Sequence, residues 1–246
     1  MTIGRRLRFF ARDLVYPGLD LHTRHRASLR RFWKSGPRRV LDAGSGNGFQ
    51  SWLAYRSGAT VVGFSFDADQ VDKASSYLIA HKGANPQRLR FEQRNLYALC
   101  DERSRFDEII CYETLEHIRD DAFVVREFYR LLNPGGVVHV CCPNREHPRH
   151  KRELLDLNEK GGHVRPGYTL SELAALLQSA GFTVDRRVGL GSHRLYVMDA
   201  LVRRIRNTFG DVVALPLLPF ALPFVWFDPA DPSLPFSVYV RATKDN

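Results

Sequence analysis

The sequence predicts an α/β fold: a doubly wound, mostly parallel sheet of seven strands. Three observations point to it. Short apolar, β-rich runs alternate with helix-length segments across residues 38–190, the pattern of strands joined by crossover helices. A glycine-rich stretch, Val40 to Gly48 (VLDAGSGNG), joins the first run to a helix. A last β-rich run, Phe236 to Ala242, returns after a long interruption. The expected organisation is an N-terminal helical flank (1–37), a core (38–190), an apolar insert or cap (191–235) and the last core strand within 236–246.

Taken in order, Leu19 to Trp33 is polar with scattered apolar residues and reads as a flank helix closed by Gly36-Pro37. Arg38 to Leu41 begins the first strand, and a helix follows over about Phe49 to Arg56. Ala59 to Phe66 is a second strand, Ala68 to His81 a helix, Leu89 to Gln93 a third strand and Phe106 to Cys111 a fourth. Asp120 to Leu132 is a helix that Pro134 stops, with Gly135 and Gly136 turning the chain into a fifth strand, Val137 to Cys142. Thr169 with Glu172 three residues on makes a capping box, and Gly181 ends that helix before the sixth strand.

Composition narrows the partners. The chain of 246 residues holds 36 Lys+Arg against 27 Asp+Glu, a formal charge of +9. Such an excess suits anionic partners or simply a basic surface. Four cysteines, Cys100, Cys111, Cys141 and Cys142, form no C-x-x-C pair, and three sit in strand-like apolar runs. They read as small core residues in a reducing cytosol. Cys/His spacing fits no zinc site, so no metal is expected. Met1 to Arg12 lacks the apolar stretch of a signal peptide, and a cytoplasmic location is expected; its basic-aromatic mixture suits either a membrane surface or an exposed helix end.

The glycine turn is the first candidate site. Glycines at Gly44, Gly46 and Gly48 let the backbone take positive φ and let a ligand lie against the main chain. The helix that follows offers unpaired N–H groups and a positive dipole end. The dinucleotide fingerprint needs its third glycine where Phe49 stands.

Asp42 followed by these glycines, in L-D-x-G-x-G-x-G, resembles motif I of the Rossmann-like S-adenosylmethionine (SAM) methyltransferases. FDEIICYETLEHI, Phe106 to Ile118, and FYRLLNPGGVVHVCCPN, Phe128 to Asn144, resemble the later motifs of the small-molecule methyltransferase group, as does GGHVRPGYTLSELAALLQSAGFTV. The resemblance covers roughly residues 38–190 and implies SAM as cofactor, with S-adenosylhomocysteine as product. It implies that Asp42, Gly44, Ser45 and Gly46 face the methionine end, with Tyr112 at the end of the fourth strand. Where most of the group carries an acid for the ribose, this chain has Ser65. G-F-S-F-D-A-D-Q looks like the variant in which a hydroxyl and Gln70 share the ribose contacts. Phe66 would then stack on adenine, or else be a core aromatic, and Asn95-Leu96 stands where an acid and an apolar residue usually hold the base.

Such a transfer needs the acceptor held in line with the methyl group, and sometimes a base. A histidine suits a hydroxyl acceptor. His163, in the loop that should overhang the methyl donor, is the first candidate. His117 of LEHI is second, with a structural role as the competing reading, and His147 third. The expected function is methyl transfer to a hydroxyl of a lipophilic or lipid-linked small molecule, a natural product or a glycan sugar. N- or C-methylation is an alternative, and so is a non-catalytic scaffold, because Ser65 and Asn95 replace acids. RNA is disfavoured as a substrate, since no RNA-binding appendage is recognisable.

The insert is unusual for the group. Arg203, Arg204 and Arg206 precede Val212 to Phe227 (VVALPLLPFALPFVWF), a run too short to span a bilayer and interrupted by Pro216, Pro219 and Pro223. Being apolar all round, it needs a cover. Three covers fit: the active-site mouth, a partner subunit in a homo-oligomer, or a membrane surface met through 203–227 at the inner face of the membrane.

Overall fold

The computed structural model describes residues 16–152, 154–156 and 161–245. The basic-aromatic start, Met1 to Arg12, lies outside the described residues. Seven strands form one sheet in the order β3-β2-β1-β4-β5-β7-β6: β1 (Arg39–Ala43), β2 (Thr60–Ser65), β3 (Leu89–Gln93), β4 (Phe106–Tyr112), β5 (Leu132–Pro143), β6 (Thr183–Leu190) and β7 (Ser237–Thr243). β1 runs parallel to β2 and β4, while β7 inserts antiparallel between β5 and β6. The strand order reverses at β1, since β2 and β3 lie on one side and β4 and β5 on the other. The crevice at the carboxyl ends of the strands therefore opens there.

Alternation along the strands separates two cores. Leu41, Ala43, Val62, Phe64, Ile109 and Cys111 point to one face, beneath α4 (Asp121–Leu131) and α6 (Leu170–Ser179). Val40, Val61, Ile110 and Tyr112 point to the other, beneath α2 (Phe49–Arg56) and α3 (Ala68–Ala74). A sheet covered on both faces explains why these strands read as nearly continuous apolar runs. Cys111, Cys141 and Cys142 are buried free thiols, and Cys100 is exposed.

Several expected bounds shift. The flank is α1 (Leu21–Arg26) followed by a 3-10 stretch, Ala27–Phe32, rather than one helix. Beyond α3 the helix widens into a π turn, Ser75–His81. The Pro134-Gly135-Gly136 turn lies within β5 rather than ahead of it: Phe106 pairs with Leu132, and the register resumes at Glu108 with Val137. Gly135, at φ 66°, donates its N–H to the Lys244 carbonyl and so is held on the sheet's end. The capping box of Thr169 and Glu172 is present, starting α6.

The insert is helical despite its prolines. α7 (His193–Phe209), α8 (Asp211–Ala214) and α9 (Leu218–Trp226) form an arm after β6. Pro216 and Pro219 occupy first-turn positions, where the N–H they lack has no partner to lose, and Pro223 alone lies inside a helix. Leu195, Val202, Ala214, Leu218 and Ala221 pack with Leu19 and Leu21 into a third apolar cluster. Among the described residues, no helix is long and apolar enough to cross a membrane.

Candidate active site

A cavity of about 840 Å³ lies at the carboxyl ends of β1, β2, β3 and β4. Its floor is the glycine turn. Gly44, Gly46 and Gly48 have φ of 86°, 51° and 78°, and the N–H groups of Gly44 and Ser45 both donate to the Phe64 carbonyl, at 2.9 and 2.8 Å. A Cβ on Gly44 would overlap the Thr114 side chain, and one on Gly46 would stand 3.3 Å from Gln70 Oε1. Gly44 and Gly46 line the cavity.

Asp42 and Ser45 sit behind this floor. Asp42 is buried and accepts a 2.5 Å hydrogen bond from Ser51 Oγ in α2. Burial pushes its carboxyl up to about 6, outweighing the Ser51 bonds. Ser45 Oγ is buried with no hydrogen-bond partner. Neither is among the residues lining the cavity. Tyr112 departs further from expectation: its side chain points into the core, where its hydroxyl accepts from Trp33 Nε1 at 3.2 Å. Strand alternation turns it away from the crevice.

Ser65, Phe66, Gln70, Asn95 and Leu96 share one wall. Phe66 is 70 % exposed, so the core reading of that ring is overturned. The Asn95 side chain accepts from Tyr97 N at 2.9 Å, capping the turn that starts at Leu96. Ser65 Oγ accepts from Asp67 N at 3.3 Å. Gln93, Arg94 and Tyr97 also reach this wall.

Opposite, past the end of β4, stand Glu113, Thr114 and His117. Glu113 has φ 51°, a conformation few non-glycine residues adopt; such outliers concentrate at functional sites. Beyond it lies a second cavity of about 150 Å³, walled by His22 and Arg26 of α1, His163, and Arg203 of α7. Glu113 lines both cavities. Burial raises its carboxyl above the usual range, more than the nearby Arg26 lowers it. His22 is buried with Nε2 unpartnered, and burial together with the Arg26 charge depresses it to about 3.

The three candidate histidines separate. His117 Nδ1 lies 3.0 Å from the Gly162 carbonyl; a carbonyl only accepts, so this nitrogen carries the proton and the neutral ring's basic nitrogen is Nε2. His163 packs edge-on to His117 at 4.6 Å between ring centroids. Its loop is tied down where Val164 N donates to the Glu116 carbonyl at 2.8 Å, and where Arg165 grips the Ile118 and Arg119 carbonyls. His117 thus faces the larger cavity and His163 the smaller. His147 lines neither. Its Nδ1 accepts from Arg149 N as the cap of α5 (Pro148–Lys151), and its ring packs on Tyr196 and Phe236.

Glu116 is fully buried, and neither carboxylate oxygen has a hydrogen-bond partner. Burial, then the Glu113 charge, raises its pKa well above the ordinary carboxylate value. One ligand atom from each of Glu116, His117 and His163 falls within 4.8 Å of the others, a set with the chemistry to hold a divalent cation. Sequence spacing missed it because His163 arrives from a distant loop. Glu113 and Arg26 were missed as well; ETLEH placed Glu113 in the right motif, but nothing local marked it out.

Residues 19–186 match the family model described as Methyltransferase domain. The chain belongs to that family. This SAM-dependent methyltransferase is 32 % identical over 165 residues to a ubiquinone biosynthesis O-methyltransferase of Pseudomonas fluorescens, covering 62 % of this chain and 68 % of the relative. Among solved structures it is similar to the (4+2)-cyclase SpnF, with a TM-score of 0.63 and 19 % identity, covering 91 % of this chain and 81 % of that one. It is also similar to Haemonchus contortus phosphoethanolamine N-methyltransferase 2 in complex with SAM, with a TM-score of 0.61 and 17 % identity over 91 % and 53 % of the two chains. At these identities the two structural likenesses speak to the fold.

The larger cavity suits SAM in size and in lining. Its volume lies within the range of ligand pockets. It offers a Cβ-free floor, a flat exposed ring at Phe66, and neutral hydrogen-bonding groups on Ser65, Gln70 and Asn95.

Proposed function

We propose that this methyltransferase methylates a hydroxyl oxygen of a lipophilic or lipid-linked small molecule that enters the smaller cavity. In this reading Gly44 and Gly46 admit the methionine end of SAM, while Ser65 and Gln70 hold the ribose. Phe66, Asn95 and Leu96 flank the adenine. The cofactor supplies an electrophilic methyl on a sulfonium and leaves as S-adenosylhomocysteine. The acceptor O–H gives its proton to the His163 imidazole as the oxygen takes the methyl, leaving a methyl ether and an imidazolium.

The observation that carries this reading is Glu113, which lines both cavities. A carboxylate at that boundary lies where an oxygen acceptor and a sulfonium would meet. It also stabilises the imidazolium formed at His163, whose charge it feels. The O-methyltransferase name of the Pseudomonas fluorescens relative supports oxygen over nitrogen or carbon as acceptor. The free buried thiols suit a cytoplasmic setting.

The test is turnover of phenolic and sugar hydroxyl acceptors by the intact chain and by His163→Ala, across pH. The variant should bind SAM within about threefold of wild type and lose about 10²-fold or more in kcat, as removal of a general base does. Unchanged kcat would remove His163 from the role of base. No calorimetric binding of SAM at millimolar concentration would overturn the site assignment itself.

A further inference from the structure

We propose that the α7–α9 arm is a docking surface for an anionic phospholipid bilayer. This goes beyond the acceptor reading and does not depend on it. Thirteen large apolar residues are exposed among the described residues, and eight of them fall between Val197 and Phe227. Phe209, Val212, Phe220, Trp226 and Phe227 are each more than 60 % exposed. The inward side of the same arm is occupied, with Ala214, Leu218 and Ala221 buried against Leu19 and Leu21. Part of the arm is thus committed to the fold, while its remaining aromatic and aliphatic side chains face water in a concentration of the kind that marks an interaction site.

Charge selects the occupant. Arg194, Val197, Leu201 and Arg204 are all exposed on α7, and their spacing places them on one helical stripe. Arg203 is held by Asp199 at 3.2 Å, whereas Arg204 is exposed and Arg206 half-buried beside the apolar tip. Opposing them on the exposed arm is Asp211. Cationic side chains bordering exposed aromatics match a bilayer boundary: phosphates meet the guanidinium groups, Trp226 sits at headgroup level, and the phenylalanines enter the acyl region. A second copy of this chain is the poorer match. A two-fold interface sets the same patch against itself, which brings Arg204 and Arg206 towards their own copies. Because no described helix can span a bilayer, the arm would lie in the interface. It would also bring the smaller cavity, walled by Arg203 of α7, close to the lipid.

The test is co-sedimentation of the full chain with phosphatidylcholine vesicles, with and without about one-third phosphatidylglycerol. It is run beside the triple variant Phe220→Ser/Trp226→Ser/Phe227→Ser and the double variant Arg204→Gln/Arg206→Gln. Wild type should partition onto the anionic vesicles at least tenfold better than onto the neutral ones, with binding falling as salt rises. The triple variant should lose at least about tenfold. The double variant should lose about fivefold per arginine on anionic vesicles only, the scale expected for one charge near such a surface. Arg204, Phe220, Trp226 and Phe227 are exposed and Arg206 is half-buried, with none in the buried core, so thermal unfolding and SAM binding should match wild type and show that the variants are folded. Equal partitioning of wild type and triple variant would overturn the proposal. So would light scattering that finds a wild-type dimer, made monomeric by the triple variant, that ignores vesicles.

Discussion

Arg26 Nη1 lies 3.4 Å from Glu113 Oε1, and this pair joins α1 to the end of β4 at the wall between the two cavities. Burial pushes against the charged form of both groups. For Arg26 the Glu113 and Asp20 carboxylates overcome that cost. For Glu113 burial wins, and the carboxyl titrates higher than usual.

Removing the cation should raise Glu113 further. In Arg26→Gln the acidic limb of the pH–rate profile is expected to move up by about one pH unit, the lower end of what loss of one close opposite charge produces. kcat should fall while the KM for SAM stays within about threefold. An unmoved limb would show that Glu113 does not titrate in the reaction.

Gly44→Ala tests the cofactor floor. The added Cβ overlaps Thr114, and φ 86° is unfavourable for alanine. A stability loss of about 1–3 kcal/mol is expected, with SAM affinity down at least tenfold by calorimetry. Gly83→Ala, at positive φ but with open space around its Cβ, should lose stability and keep affinity.

Beneath the site runs a buried polar chain. Glu108 accepts from Arg38 Nε at 2.5 Å and from His139 Nε2 at 2.8 Å, and His139 Nδ1 pairs with the Tyr239 hydroxyl at 2.7 Å. Glu108→Ala leaves the buried Arg38 charge without its counter-ion, although the Gly36 carbonyl and Ser57 Oγ still accept from it, and costs about 3–5 kcal/mol. Denaturant unfolding should show it. The native Glu108 carboxyl is held below its ordinary value, burial being outweighed by its His139 and Arg38 partners, while burial lowers His139. Both groups bind fewer protons folded than unfolded, so their stabilisation is complete above about pH 6.5 and is lost as acid titrates them.

Asp42 acts with the opposite sign. With its carboxyl raised from 3.8 to about 6, the folded chain binds the extra proton between those values, so this group destabilises increasingly as pH rises across that window. Asp42→Asn, which can still accept from Ser51, should gain up to about 3 kcal/mol at pH 7.5 relative to wild type. Near pH 4 the gain should vanish. Thermal unfolding at both pH values checks it.

The sheet was legible because parallel strands buried on both faces must be apolar along their length, and because glycine turns and proline stops are local in the chain. Val40 to Gly48, the LEHI motif and the Thr169 cap all express backbone geometry over a few residues. Helix α2 (Phe49–Arg56) and strand β3 (Leu89–Gln93) accordingly fall on their expected bounds. The positions of Ser65, Phe66, Gln70, Asn95 and Leu96 on one wall follow from the same logic, since each lies at or shortly after the end of a strand that stops at the crevice.

Side-chain direction was harder to read. Tyr112 is one residue before Glu113, yet the strand turns the first into the core, and the second, past the strand's end at φ 51°, stands between the cavities. His147 and His163 lie in one long polar segment, yet one caps a short helix and the other meets His117. The sequence by itself therefore determined the sheet, the glycine turn after β1 and the family, all written in short-range patterns. Tertiary structure alone decided that Arg26, Glu113, Glu116 and His163 converge, and which face of the arm stays bare, because those contacts join segments whose separation along the chain carries no local signal.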